Sequence, residues 1–143
     1  MRTIVHLVIL SAIALTAWQE FGPAPGFPGG PAGPDAVLAT AFESRQSNLQ
    51  VKGQGVVARV LSDDRDGSRH QRFILRLVSG QTVLIAHNID LAPRIPGIEN
   101  GDTVEFHGEY EWNPRGGVIH WTHHDPAGRH VGGWLKHEGR TYQ

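Results

Sequence analysis

Between Lys52 and the C-terminus lie eight histidines and nine arginines, against only two lysines. Imidazole changes charge near neutral pH and serves as acid, base or metal ligand. Guanidinium presents a planar fork that fits phosphate or carboxylate, so the arginine bias points to an anionic ligand or to ordinary surface pairing. The polar residues gather in dense segments: HQRF (70–73), HNIDLAPR (87–94), GEYEWN (108–113), and IHWTHHDPAGRH with GGWLKH (119–137). His70, His87 and His120 are candidates for general acid and base, with Glu109 as a carboxylate partner. In an extended VIHWTH segment, His120, Thr122 and His124 share one face, and Trp121, His123 and Asp125 the other. Imidazoles at i and i+4 of a strand stand roughly 13 Å apart, too far to share an ion. A bend at the strand end would instead gather His123, His124 and Asp125 into a His/Asp site for a divalent metal ion.

The remaining candidates concern binding. Arg72 and Arg76 alternate with Phe73, Leu75 and Leu77, so they face away from a core and towards a substrate. Asn88, Trp112 and Asn113 complete a ligand-binding set. Trp112 sits beside a turn and could stack a base or a sugar ring, whereas core packing is the expectation for Trp121 and Trp134. Glu109 and Glu111 project from one side of their strand, and Asp63 and Asp64 enter a turn. Either pair could hold a divalent ion or act as a base, and a solvated strand face and a plain turn explain them equally well. Asp90 and Arg94 are expected to staple their proline-rich link as an ion pair. No Walker loop, nucleophile elbow or HExxH motif is present.

These residues need a scaffold, and the sequence reads as one small all-β domain. The chain has 143 residues, with 18 Gly and 9 Pro, which favours turns over helix. Residues 35–143 form the expected single domain. Asp35 reads as the N-cap of a helix from Ala36 to Gln46, with Val37, Leu38, Ala41 and Phe42 on its packing side. Strands are predicted at Gly55–Ser62, His70–Val78, Gln81–His87, Thr103–Tyr110 and Val118–His123, the longest link falling between the third and fourth. That order predicts an OB-like five-stranded barrel with an N-terminal helix and a Gly-rich C-terminal extension covering it. A small β-sandwich or roll is the alternative.

Taken in order, the four polar segments resemble an uncharacterised bacterial family of small exported proteins, domain of unknown function 3465. The resemblance runs from about Gly53 to Gln143 and implies membership without implying an activity or residue roles.

The N-terminus carries its own signal. Arg2 precedes an apolar run from Ile4 to Ala17, broken by His6, Ser11 and Thr16. A basic start, a short apolar run and small residues at its end predict a secretory signal peptide over 1–17, with an uncleaved anchor as the alternative. Residues 18–34 form a Pro/Gly-rich spacer. Without residues 1–17 the chain carries 12 basic and 14 acidic residues, which excludes a uniformly basic coat for nucleic acid. With no cysteine, thiol catalysis, thiolate zinc sites and a lipid-modified cysteine anchor are excluded. The expectation is a periplasmic or extracellular hydrolase of an anionic polymer, a phosphodiesterase or nuclease with nucleic acid as a partner. The alternative is a non-catalytic oligonucleotide- or oligosaccharide-binding module. A metal-binding or structural envelope protein is a third class.

Overall fold

The computed structural model describes residues 33–143. The segment expected to be a signal peptide, 1–17, and all but the last two residues of the expected spacer lie outside the described residues. Helix α1 (Pro34–Glu43) precedes seven strands: β1 (Leu49–Val60), β2 (His70–Arg76), β3 (Thr82–Asn88), β4 (Thr103–Glu111), β5 (Val118–His120), β6 (Trp134–His137) and β7 (Arg140–Tyr142). The domain is an all-β, closed five-stranded barrel in the order β1-β2-β3-β5-β4, with β4 returning to β1. The β3–β5 pair is parallel, and the other ring pairs are antiparallel. This is the strand order expected of an OB-type barrel.

Closure depends on β1. Its first part, Leu49–Val56, pairs with β4, and Val56–Val60 pairs with β2 across a register shift between Val57 and Arg59. Gly53 lets the strand curl over the core, because a Cβ there would lie 2.7 Å from the Phe106 ring. The predicted strand started too late, at Gly55. Gly53 and Gly55 blur the alternation of Leu49 and Val51 with Gln50, Lys52 and Gln54, and the pairing with β4 overrides their weak strand preference.

Alternate residues of each ring strand fill the barrel: Val51, Val57, Phe73, Leu75, Val83, Ile85, Val104, Phe106, Tyr110 and Ile119 are all buried. The helix closes one end. Leu38 and Ala41 enter the core, Gln81 Nε2 donates to Leu38 O, and Trp112 Nε1 donates to Phe42 O. Burying a leucine stabilises the fold by about 2 kcal/mol. The helix begins earlier than expected, with Gly33 as N-cap and Pro34 in its first turn, where a missing N–H costs nothing. Asp35 therefore does not cap the helix; its carboxylate accepts from Ser79 N in the β2–β3 turn. Val37 points outward rather than into the packing side.

The β3–β4 link closes the opposite end with Ile95, held by Gln71 in a reciprocal pair of hydrogen bonds. Asp90 and Arg94 do not pair with each other. Asp90 binds Arg69 at 2.7 Å, and Arg94 binds Asp63 at 2.9 Å, so both join the link to the β1–β2 turn.

Two further differences shape the functional face. β5 ends at His120 because Trp121 adopts a left-handed backbone (φ 53°), which breaks the expected alternation through His123. The C-terminal extension forms a β6–β7 hairpin that lengthens the sheet along β4. β5 and β6 thus share one edge of β4, β5 beside Glu109–Glu111 and β6 beside Glu105–His107.

Candidate active site

The chain between β5 and β6 leaves the edge of β4 at Trp121 and returns at Gly133. Gly133 N donates to His123 O, and a Cβ at Gly133 would collide with the carbonyls of Trp121 and His107. Only glycine can pass there. At the loop's outer turn, the Asp125 carboxylate accepts from the backbone N–H groups of Ala127, Arg129 and His130. Those bonds, led by that from Ala127, hold the Asp125 carboxyl below its ordinary range. The turn lays the His130 ring on the Trp121 ring, with centroids 4.0 Å apart and planes within 10°.

His130 is thereby delivered to β4. Its Nε2 lies 3.5 Å from Glu109 Oε2, and His120 Nε2 lies 3.2 Å from the same oxygen. Glu111 Oε1 is 3.3 Å from His120 Nε2. Strand pairing sets this up: Glu109 and Glu111 share the outer face of β4, and His120 of β5 is the direct partner of Glu109. Glu109 is only 16% exposed, and among the described residues its carboxylate meets imidazoles but no Lys or Arg. His120 Nε2 is shut off from solvent and makes no hydrogen bond of proper geometry. His130 Nδ1 faces Val131 O at 2.8 Å, and a carbonyl only accepts, so Nδ1 carries the hydrogen. In the neutral ring, Nε2 then presents a lone pair to Glu109.

The structure brings together only two of the predicted catalytic residues, Glu109 and His120. His87 is fully buried, its Nδ1 2.7 Å from Thr122 Oγ1 and its Nε2 2.9 Å from Pro93 O. Burial lowers its pKa to about 4, and its ring reaches no solvent from which a substrate could approach. His70 sits at the start of β2, with Nδ1–H donated to Ser68 O in the β1–β2 turn.

His123, His124 and Asp125 are not gathered into a candidate metal cluster among the described residues. His123 is buried and donates Nδ1–H to His124 O, while Asp125 spends both oxygens on its turn. Asn88 and Asn113 also serve their turns. Asn88 accepts from Asp90 N, and Asn113 from the N–H groups of Arg115 and Gly117. Trp112 is no open platform: it stacks on Phe42, with Arg45 5.1 Å over its ring. Trp121 and Trp134 are only partly buried, contrary to the expected core packing, and flank the face that carries the cluster.

The arginines divide. Arg72 faces outward opposite Ala86, and Ala86 follows Ile85, the partner of Ile119. Arg72, Ala86, His120 and Glu109 therefore form one row across four strands, with Arg72 Cα about 10 Å from His120 Cα at the usual strand spacing. Arg72 Nε is bonded to Ser62 O. Arg76 lies at the other end of β2, beside Val56 and Val78, in a groove of about 250 Å³ away from the cluster.

Residues 30–143 match the model of a protein family described as "Protein of unknown function (DUF3465)". The chain belongs to this family. No curated protein matches it. In this DUF3465 protein, sequence reasoning left His130 without a role, and it assigned Trp121 to the core. The available signal was the Asp-Pro-Ala-Gly turn followed by Gly132-Gly133, which folds the loop back on the strand it left.

Proposed function

We propose that the protein is an exported hydrolase of an anionic polymer, a phosphodiesterase or nuclease, with Glu109, Glu111, His120 and His130 as its reactive cluster. The observation supporting this reading is the convergence of two imidazoles on one carboxylate oxygen at a partly solvent-open edge. His130 is the proton carrier, since its Nδ1–H is tied to Val131 O and its Nε2 faces the cluster. Water attacks phosphorus, forming one P–O bond as the ester P–O bond breaks. The proton of that water passes to His130 Nε2 and then to the leaving oxygen. His120 and Glu111 fix Glu109, and Arg72 in the same row supplies positive charge for the phosphate.

Single-stranded DNA, single-stranded RNA and an activated phosphodiester, each incubated with the purified protein, test this directly. His130→Ala is expected to lower turnover by about 10²-fold or more while the melting curve stays in place. Full turnover in that variant, or no cleavage of any phosphodiester by the parent protein, rejects the proposal.

A second reading, a non-catalytic oligonucleotide- or oligosaccharide-binding module, draws on a different observation. Trp134, with Lys136 Nζ 4.4 Å over its ring, lies beside His107, one row along β4 from Glu109. Such a surface holds stacked rings and phosphate together. Binding without cleavage, weakened by Trp134→Ala, favours this reading. Export in either case is tested by sequencing the secreted protein, whose N-terminus is expected near Trp18; an intact Met1 contradicts it.

A further inference from the structure

We infer that Glu109, Glu111 and His120 bind a divalent transition-metal cation of the zinc type, a reading that deepens the hydrolase proposal by supplying its charge. Three observations carry it. First, His120 Nε2 stands 3.2 Å from Glu109 Oε2 and 3.3 Å from Glu111 Oε1, and all three donor atoms lie within 4.8 Å of one another. Ligands about 2.0–2.1 Å from a tetrahedral ion are about 3.3 Å apart, so His120 Nε2 already stands at ligand spacing from both carboxylates. Second, His120 Nε2 is closed to solvent and makes no hydrogen bond, although the ring as a whole is 29% exposed. A buried nitrogen of this kind is costly unless something accepts its lone pair or its hydrogen. Third, the Glu109 carboxylate, only 16% exposed, has no Lys or Arg partner among the described residues.

The substrate class sharpens the point. A phosphodiester approaching Glu109 and Glu111 meets two negative charges, and Arg72 three strands away offsets only one of them. A divalent ion between the carboxylates reverses the local field and polarises both phosphate and water. Imidazole with carboxylate is a donor set suited to zinc-type ions. His130 would then stand beside the ion, its own Nδ1–H···O=C bond keeping Nε2 aimed at the site, and the ion would supply an activated water. The other His/carboxylate group, Asp102, His137 and Glu138, is weaker: His137 Nε2 is already bonded to Asp102 at 2.9 Å, and Glu138 is 80% exposed.

The test is calorimetric titration of the purified full chain, first stripped with a chelator, with zinc ion alone at neutral pH. One ion should bind per chain. Glu111→Gln, which removes only a charge from a half-exposed side chain, and His120→Ala should each weaken binding by about 100-fold with unchanged melting. Glu138→Gln should leave it unaltered. Absence of saturable binding, or full affinity in the Glu111 and His120 variants, overturns the inference, as does loss of affinity in the Glu138 variant alone. The isotherm needs no substrate, so an ion that binds without any cleavage leaves this site standing and removes the hydrolase reading. Chelator-resistant cleavage with no ion bound does the reverse.

Discussion

His87 Nδ1 accepts the hydroxyl hydrogen of Thr122 at 2.7 Å, because its other nitrogen must donate to the Pro93 carbonyl. The pairing fixes the neutral ring in one tautomer inside the barrel and ties β3 both to the start of the β5–β6 loop and to the β3–β4 link.

Acid sensitivity follows from that burial. The His87 pKa is depressed from 6.5 to about 4, first by desolvation, so the unfolded chain binds a proton that the folded chain refuses. Its contribution is whole above the unfolded value and shrinks as pH falls through the window towards 4. The loss should reach about 3 kcal/mol by the bottom of that window. Urea denaturation across the same range checks this against His87→Gln, which should show a flatter pH dependence.

Asp125 is expected to position His130 rather than touch substrate. Asp125→Ala removes the acceptor for three N–H groups and should lower turnover by about tenfold or more, with little change in global melting. Amide exchange at Ala127, Arg129 and His130 should quicken in this variant. In the parent protein, the carboxylate's depressed pKa means that loop order is present above the ordinary Asp range and fades as pH falls through it. Unchanged exchange at those amides would show that the loop is held by other means.

Trp112→Ala should act on stability, not on ligand binding. The ring stacks on Phe42, and its Nε1–H satisfies a carbonyl at the helix end, so truncation should cost about 2–3 kcal/mol. Urea unfolding measures the cost. A weakened ligand with undiminished stability would restore the platform expected from sequence.

Gly133→Ala should detach the loop from β4. The added methyl meets two carbonyls, and rigid backbone has little room to yield. Expected outcomes are the loss of turnover, weaker zinc binding than in the parent if the β4 edge shifts, and faster exchange over 121–133. Normal kinetics in a folded Gly133→Ala protein would contradict the assigned close approach.

The barrel was legible because strands such as β2 and β3 announce themselves by alternation: Phe73, Leu75 and Val83, Ile85 need no tertiary information to be placed inward. Glu109 and His120 were legible as residues, but their contact depends on a register between β4 and β5 that local pattern does not specify. His130 was harder still. Its position depends on a left-handed Trp121, an Asp125-bonded turn and a glycine crossing at Gly133, none of which has a periodic signature. The reading of His123, His124 and Asp125 as ligands did not anticipate that backbone groups would engage the side chains of His123 and Asp125.

The short β7 has a consequence for behaviour at high concentration. Because the barrel ring closes on itself, the sheet's outer rim passes to the C-terminal hairpin, where β7 spans only Arg140–Tyr142. An exposed rim is a template on which a neighbouring chain can add a strand, and its hazard grows with length and flatness. Three residues, one of them a charged arginine, offer a poor template. The molecule's defence against fibril-like self-association is therefore the brevity of its last strand.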